Sequence, residues 1–98
     1  MNVYIVPSAE KEFFEVIDFY EDQLQGLGGL FTEEFLKAID LIQLFPTGWQ
    51  KAGLHTRKYL LKKFPYVILY VAEDARIVIT AVAHQHRRPA SYLTGPFN

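Results

Sequence analysis

Hydrophobic positions along this chain follow one rhythm up to residue 45 and another from residue 56 onward. Residues 2–6 (NVYIV) are a short β-type run stopped by Pro7. Ser8 then occupies the place of an N-cap, with Glu10 and Glu12 in the first turn to oppose the helix dipole. Ala9, Phe13, Val16, Ile17, Tyr20 and Leu24 recur at helical spacing and predict an amphipathic helix over residues 9–24. Gly26, Gly28 and Gly29 break it. A second helix carries Phe31, Phe35, Ala38, Ile39 and Ile42 on one face, and ends at Phe45 because Pro46 cannot continue it. Two helices joined by a glycine-rich turn make a hairpin with one shared apolar side.

Residues 46–53 (PTGWQKAG) read as loop, and the strand period follows. Strands are predicted over residues 56–61, 66–72 and 77–84, with turns at 62–65 and 73–76 short enough to give an antiparallel meander. Val67, Leu69 and Val71 are aliphatic and are expected to face the helices; Tyr66, Ile68 and Tyr70 suit a partly covered face. A four-residue turn pairs Leu61 with Tyr66, Tyr59 with Ile68 and Arg57 with Tyr70, so Arg57 joins the tyrosine face. An odd loop in the second turn adds Thr80, Val82 and His84 to that face, whereas an even one removes them. The odd count is preferred.

Ninety-eight residues, half of them apolar, suit one domain over 1–98 with a small core. The absence of cysteine excludes disulfides and thiolate zinc sites and fits a reducing cytoplasm. Pro7, Glu10 and Lys11 interrupt any signal-peptide pattern, and the longest apolar run, Tyr66–Ala72, is too short to cross a bilayer. The expectation is a cytoplasmic protein without membrane attachment. Charge is divided: residues 1–50 carry two cations against nine acids, net −7, while residues 51–98 carry eight cations against two acids, net +6. Such asymmetry points to polyanion contact at the basic end, or to acidic helix surfaces beside lysine-bearing turns.

The end of the last strand gathers His84, His86, Arg87 and Arg88, with Tyr92 beyond. Imidazoles move protons near neutrality, and guanidinium forks grip phosphate. With Arg57, this set has the parts for metal-free RNA cleavage: one group activates the 2′-hydroxyl, arginines hold the phosphate, and another group protonates the leaving oxygen. Arg57, His84, His86, Arg88 and Tyr92 are the candidate catalytic residues, and Arg87, Lys58 and Tyr70 the candidate substrate-binding ones. A solvated strand end explains the same charges, and His84 reads equally as a core histidine bonded to backbone. His84 and His86 have no nearby acid in sequence, so no metal site is expected, nor any cofactor. Ser8 serves better as a cap than a nucleophile. Trp49 beside Phe45 and Pro46 is read as closing one end of the core, with base stacking or partner binding as the alternative.

The order and wording of several segments carry a resemblance: AEKEFFEVIDFYED, FLKAIDLIQLFP, Arg57, KFPYVILY and IVITAVAHQHRRP. Over about residues 2–93 the chain resembles the RelE/ParE superfamily of small toxins from type II toxin–antitoxin systems, in the branch often labelled plasmid stabilisation proteins. The resemblance implies an α+β fold of β-α-α-β-β-β order, with a helical hairpin packed on one face of a small antiparallel-meander sheet. It also implies a cognate antitoxin whose disordered tail folds across the toxin in a hetero-oligomer, an acidic tail suiting the basic rim here. RelE-like members cut mRNA in the ribosomal A site and ParE-like members inhibit DNA gyrase. The positions matching the nuclease branch's working residues are Arg57, Arg88 and Tyr92.

The leading expectation is therefore a growth-inhibiting toxin neutralised by its antitoxin, acting as a ribosome-dependent mRNA endonuclease. The alternatives are a non-enzymatic inhibitor of DNA gyrase and a degenerate member that binds its antitoxin without toxicity.

Overall fold

The computed structural model describes residues 2–87. Strand β1 (Asn2–Ile5) leads into helices α1 (Pro7–Gln23) and α2 (Leu27–Leu44), then into β2 (Gln50–Lys51), β3 (Arg57–Leu60), β4 (Tyr66–Ala72) and β5 (Arg76–His84). The strands form one sheet in the order β1-β5-β4-β3-β2. Strands β2 to β5 meander antiparallel, while β1 lies parallel to β5, from Asn2 opposite Arg76 to Ile5 opposite Ile79. The predicted α+β architecture holds. The strand expected at residues 2–6 is β1; what the structure adds is its parallel pairing with β5, and β2, two residues long inside the segment expected to be loop.

Helix α1 opens two residues earlier than predicted. Pro7 is its first residue, Val6 is the extended N-cap, and no side chain caps the start. Ser8 is thus inside the helix, because proline's fixed φ and missing N–H suit the first helical position. The inter-helix turn is narrower than the three glycines suggested. Only Gly26, at φ 92°, adopts the left-handed conformation, and Gly28 and Gly29 already belong to α2. The Glu21 carboxylate of α1 accepts the backbone N–H groups of Gly26 (2.9 Å) and Gly28 (3.0 Å), capping the first turn of α2 from outside. A Cβ at Gly28 would stand 2.8 Å from the Ile17 carbonyl oxygen, so glycine there lets the helices approach.

The core lies between the hairpin and one sheet face. Phe31, Phe35, Ala38, Ile39 and Ile42 of α2 are buried as the periodicity predicted, and Ala9 and Val16 join them from α1. Leu24, expected on that face, is exposed where α1 ends. The sheet contributes Ile68, Tyr70, Ile77, Ile79 and Val82. The face assignment of β4 is therefore the reverse of the prediction: Ile68 and Tyr70 turn toward the helices, and Val67 and Leu69 pack with Ala81 and Ala83 in a smaller cluster on the outer face. Ring area outweighs the hydroxyl, which needs only one partner to be buried. Tyr20, Phe31, Phe64 and Tyr66 meet in edge and stacked contacts at 4.9–6.1 Å.

The β3–β4 register matches the predicted one: Arg57 opposite Tyr70 and Tyr59 opposite Ile68. The second hairpin departs from it. Ala72 faces Ile77 across an even loop of four residues, but a bulge between Leu69 and Tyr70 shifts the pairing from Tyr70–Ile79 to Leu69–Ala81. Thr80 is the extra residue. Val82 and His84 thereby rejoin the face of Ile68 and Tyr66, as expected, although the loop is even and Thr80 is left out. Among the described residues no helix is long and apolar enough to cross a membrane.

Candidate functional site

The predicted site residues fall into separate places. At one end of the sheet, Arg57 donates from Nη1 to the Trp49 carbonyl oxygen (2.8 Å), and the Tyr70 hydroxyl donates to the Pro46 carbonyl oxygen (2.8 Å). Both side chains tie the loop after α2 to the sheet. Tyr70 is fully buried. Burial pushes its phenol up to about 12, the Arg57 guanidinium pulling slightly the other way. Trp49 closes this end of the core, its indole N–H donating to the Leu41 carbonyl oxygen (3.3 Å) and its ring meeting Tyr59 edge-on.

His84 lies at the other end. It faces Tyr66, four residues along β4 from Tyr70, while Arg57 stands two strands away. Those offsets separate the backbones of Arg57 and His84 by roughly 16 Å, from ~3.3 Å per residue and ~4.8 Å per strand. The structure does not bring them together.

Around His84 the chain forms a tight turn. The ring rests edge-on against Tyr66 (5.2 Å), whose phenol burial raises, and lies 5.2 Å from the His86 ring. His84 Nδ1 accepts the His86 N–H (3.2 Å) and its carbonyl oxygen accepts that of Arg87 (2.9 Å). The Gln85 N–H donates to the Pro65 carbonyl oxygen (2.8 Å). Arg87 forms an ion pair with Glu12 of α1, Nη1 to Oε2 at 2.7 Å. Glu12 Oε1 accepts the backbone N–H of Val82 (3.0 Å). That donor points away from β4, where β1 no longer runs, since Val6 makes the last bond to Ile79 (3.1 Å).

On the outer face a concavity of about 340 Å³ is lined by Gln50, Lys58, Leu60, Val67, Gln85 and His86. Lys58 and His86, both singled out in the sequence, share it. Gln50 and Gln85 were missed, since glutamine carries no motif; alternation along β2–β3 was the available signal for Gln50. Glu12 was read only as a helix-dipole residue, and no local signal links positions 70 and 75 residues apart. The pocket holds one cation, one imidazole and two amides above an apolar floor, so it can bind anionic or polar groups. Among the described residues no cluster of three His, Asp or Glu is placed to hold a metal ion. Arg88 and Tyr92 lie outside the described residues.

A model of the family described as "ParE toxin of type II toxin-antitoxin system, parDE" matches residues 3–89. The fold is similar to a solved chain titled "Chromosomal ParDE TA system from P. aeruginosa", with a TM-score of 0.74 and 12% identity, over 86% of this chain and 95% of that one. No curated protein matches the chain.

Proposed function

The chain belongs to the ParE toxin family of type II toxin–antitoxin systems, and on that premise we propose that it arrests growth by binding DNA gyrase without cutting nucleic acid. The observation that carries this reading is the separation of Arg57 from His84. Arg57 and Tyr70 are engaged by loop carbonyls at one end of the sheet, and the imidazoles stand at the other. Acid–base cleavage needs its proton donor, acceptor and phosphate anchor within hydrogen-bond reach of one substrate. Target binding needs only a surface of matched shape and charge, and the outer-face pocket between Lys58 and His86 is that surface in our reading. A cognate antitoxin with an acidic segment, in a hetero-oligomer, neutralises it there by covering Lys58 and its neighbours.

The test is a supercoiling assay with purified gyrase. Added protein is expected to stall supercoiling while translation in a cell-free extract continues, and antitoxin is expected to reverse the effect. A second reading rests on Lys58 and His86 sharing one pocket: a ribosome-dependent endonuclease in which Lys58 holds the phosphate and His86 moves a proton. Mapped cuts in ribosome-bound mRNA, abolished by His86→Ala with gyrase unaffected, would establish that reading in place of the first.

A further inference from the structure

We propose that Glu12 is a positioning residue for the outer-face pocket, although it belongs to a helix on the opposite side of the sheet. One wall of the pocket is Gln85 and His86, two residues just past the end of β5. Nothing in β4 or β3 grips their side chains; the turn that carries them is held by backbone bonds to Pro65 and His84 and, at its far end, by Arg87. Arg87 in turn is held by Glu12, whose second oxygen takes the Val82 N–H on the edge that β1 leaves uncovered.

One carboxylate therefore does two jobs with two oxygens. Oε1 fixes Glu12 to the last stretch of β5, and Oε2 pulls the residue after His86 back toward α1. The direction in which Gln85 and His86 face Gln50 and Lys58 follows from that pull. A glutamine at position 12 has the same shape but no charge, and it puts an NH2 donor where one of the two oxygens stood, facing either the Val82 N–H or the Arg87 guanidinium donor to donor. Exposed ion pairs contribute little to stability. The Arg87 side chain keeps 39% of its surface exposed and Glu12 23%, so the pair's value lies in direction more than in holding the fold.

The inference rests on the proposed use of the pocket, and the experiment separates the two. Wild-type chain, Glu12→Gln, Arg87→Ala and the double variant are compared by amide hydrogen exchange, thermal midpoint and gyrase inhibition. Exchange at residues 85–87 is expected to rise about tenfold in both single variants and no further in the double, with Ile77 and Ile79 unchanged and midpoints close to wild type. Inhibition is expected to fall by a similar factor in all three. Unchanged exchange at residues 85–87 in Glu12→Gln overturns the inference, and so does faster exchange with undiminished inhibition. A wild-type chain that leaves gyrase untouched refutes the proposed function instead; exchange at residues 85–87 then decides whether Glu12 holds the turn.

Discussion

The hydroxyl of Tyr70 and the carbonyl oxygen of Pro46 lie 2.8 Å apart across 24 residues of chain, joining the middle of the sheet to the point where α2 gives way to loop. Tyr70→Phe keeps the ring and removes that bond. The expected cost is about 1 kcal/mol, read as a fall of about 4–8 °C in thermal midpoint, with the proposed gyrase inhibition unchanged in the folded protein.

The same hydroxyl makes stability depend on alkali. Burial pushes the Tyr70 phenol up to about 12 from an ordinary 10.0. The unfolded chain releases this proton first, so Tyr70's contribution is whole below pH 10 and is lost as pH rises from 10 to 12. Denaturant midpoints measured across that window should decline more steeply for wild type than for Tyr70→Phe. Equal slopes would show that Tyr70 ionises as it does in the unfolded chain.

Arg57→Ala removes a charged donor from the Trp49 carbonyl oxygen. The expected loss is about 1.5–3 kcal/mol, visible in urea titration, because the loop loses its tie to β3. Inhibition per folded molecule should stay at the wild-type level. A loss of activity beyond the loss of folded protein would return Arg57 to the working surface.

Adjacent glycines in α2 should respond in opposite directions. Gly28→Ala drives a methyl group to 2.8 Å from the Ile17 carbonyl oxygen, a backbone atom that cannot swing aside. It should cost about 1–3 kcal/mol. Gly29 has open space around it, and Gly29→Ala should stabilise by about 0.5–1 kcal/mol through helix propensity alone. Calorimetry of the two variants gives both signs directly.

Glu21→Ala deprives the N–H groups of Gly26 and Gly28 of their acceptor. The expected cost is about 1 kcal/mol, the usual worth of a helix N-cap. Faster amide exchange should be confined to the first turn of α2.

The helical hairpin was legible because α2 repeats its apolar residues strictly, and each of Phe31, Phe35, Ala38, Ile39 and Ile42 is buried. The Arg57–Tyr70 register was legible because a four-residue turn leaves one pairing. The face of β4 was misread because both of its faces are apolar, so alternation had no polar side to expose. Tyr70 then appeared half-covered when its one polar atom had a partner in Pro46. Glu12 was invisible as part of a site, since its partners Val82 and Arg87 are adjacent to it only after the sheet and α1 have packed. The pocket was half legible: Lys58 and His86 declared themselves by charge and chemistry, while Gln50 and Gln85 needed the strand pairing to be noticed.

The extra residue at Thr80 divides β5 into two stretches that keep different time. Ile77 and Ile79 take their direction from the loop at residues 73–76, whereas Val82 and His84 take theirs from that loop and the bulge together. Lengthening that loop by one residue would turn the isoleucines, and Val82 and His84 with them, to the opposite face, but removing the bulge alone would swing His84 through the sheet and leave the isoleucines in place. The bulge therefore sets the direction of the His84 turn without touching the isoleucines, whereas the loop sets both stretches of this nine-residue strand.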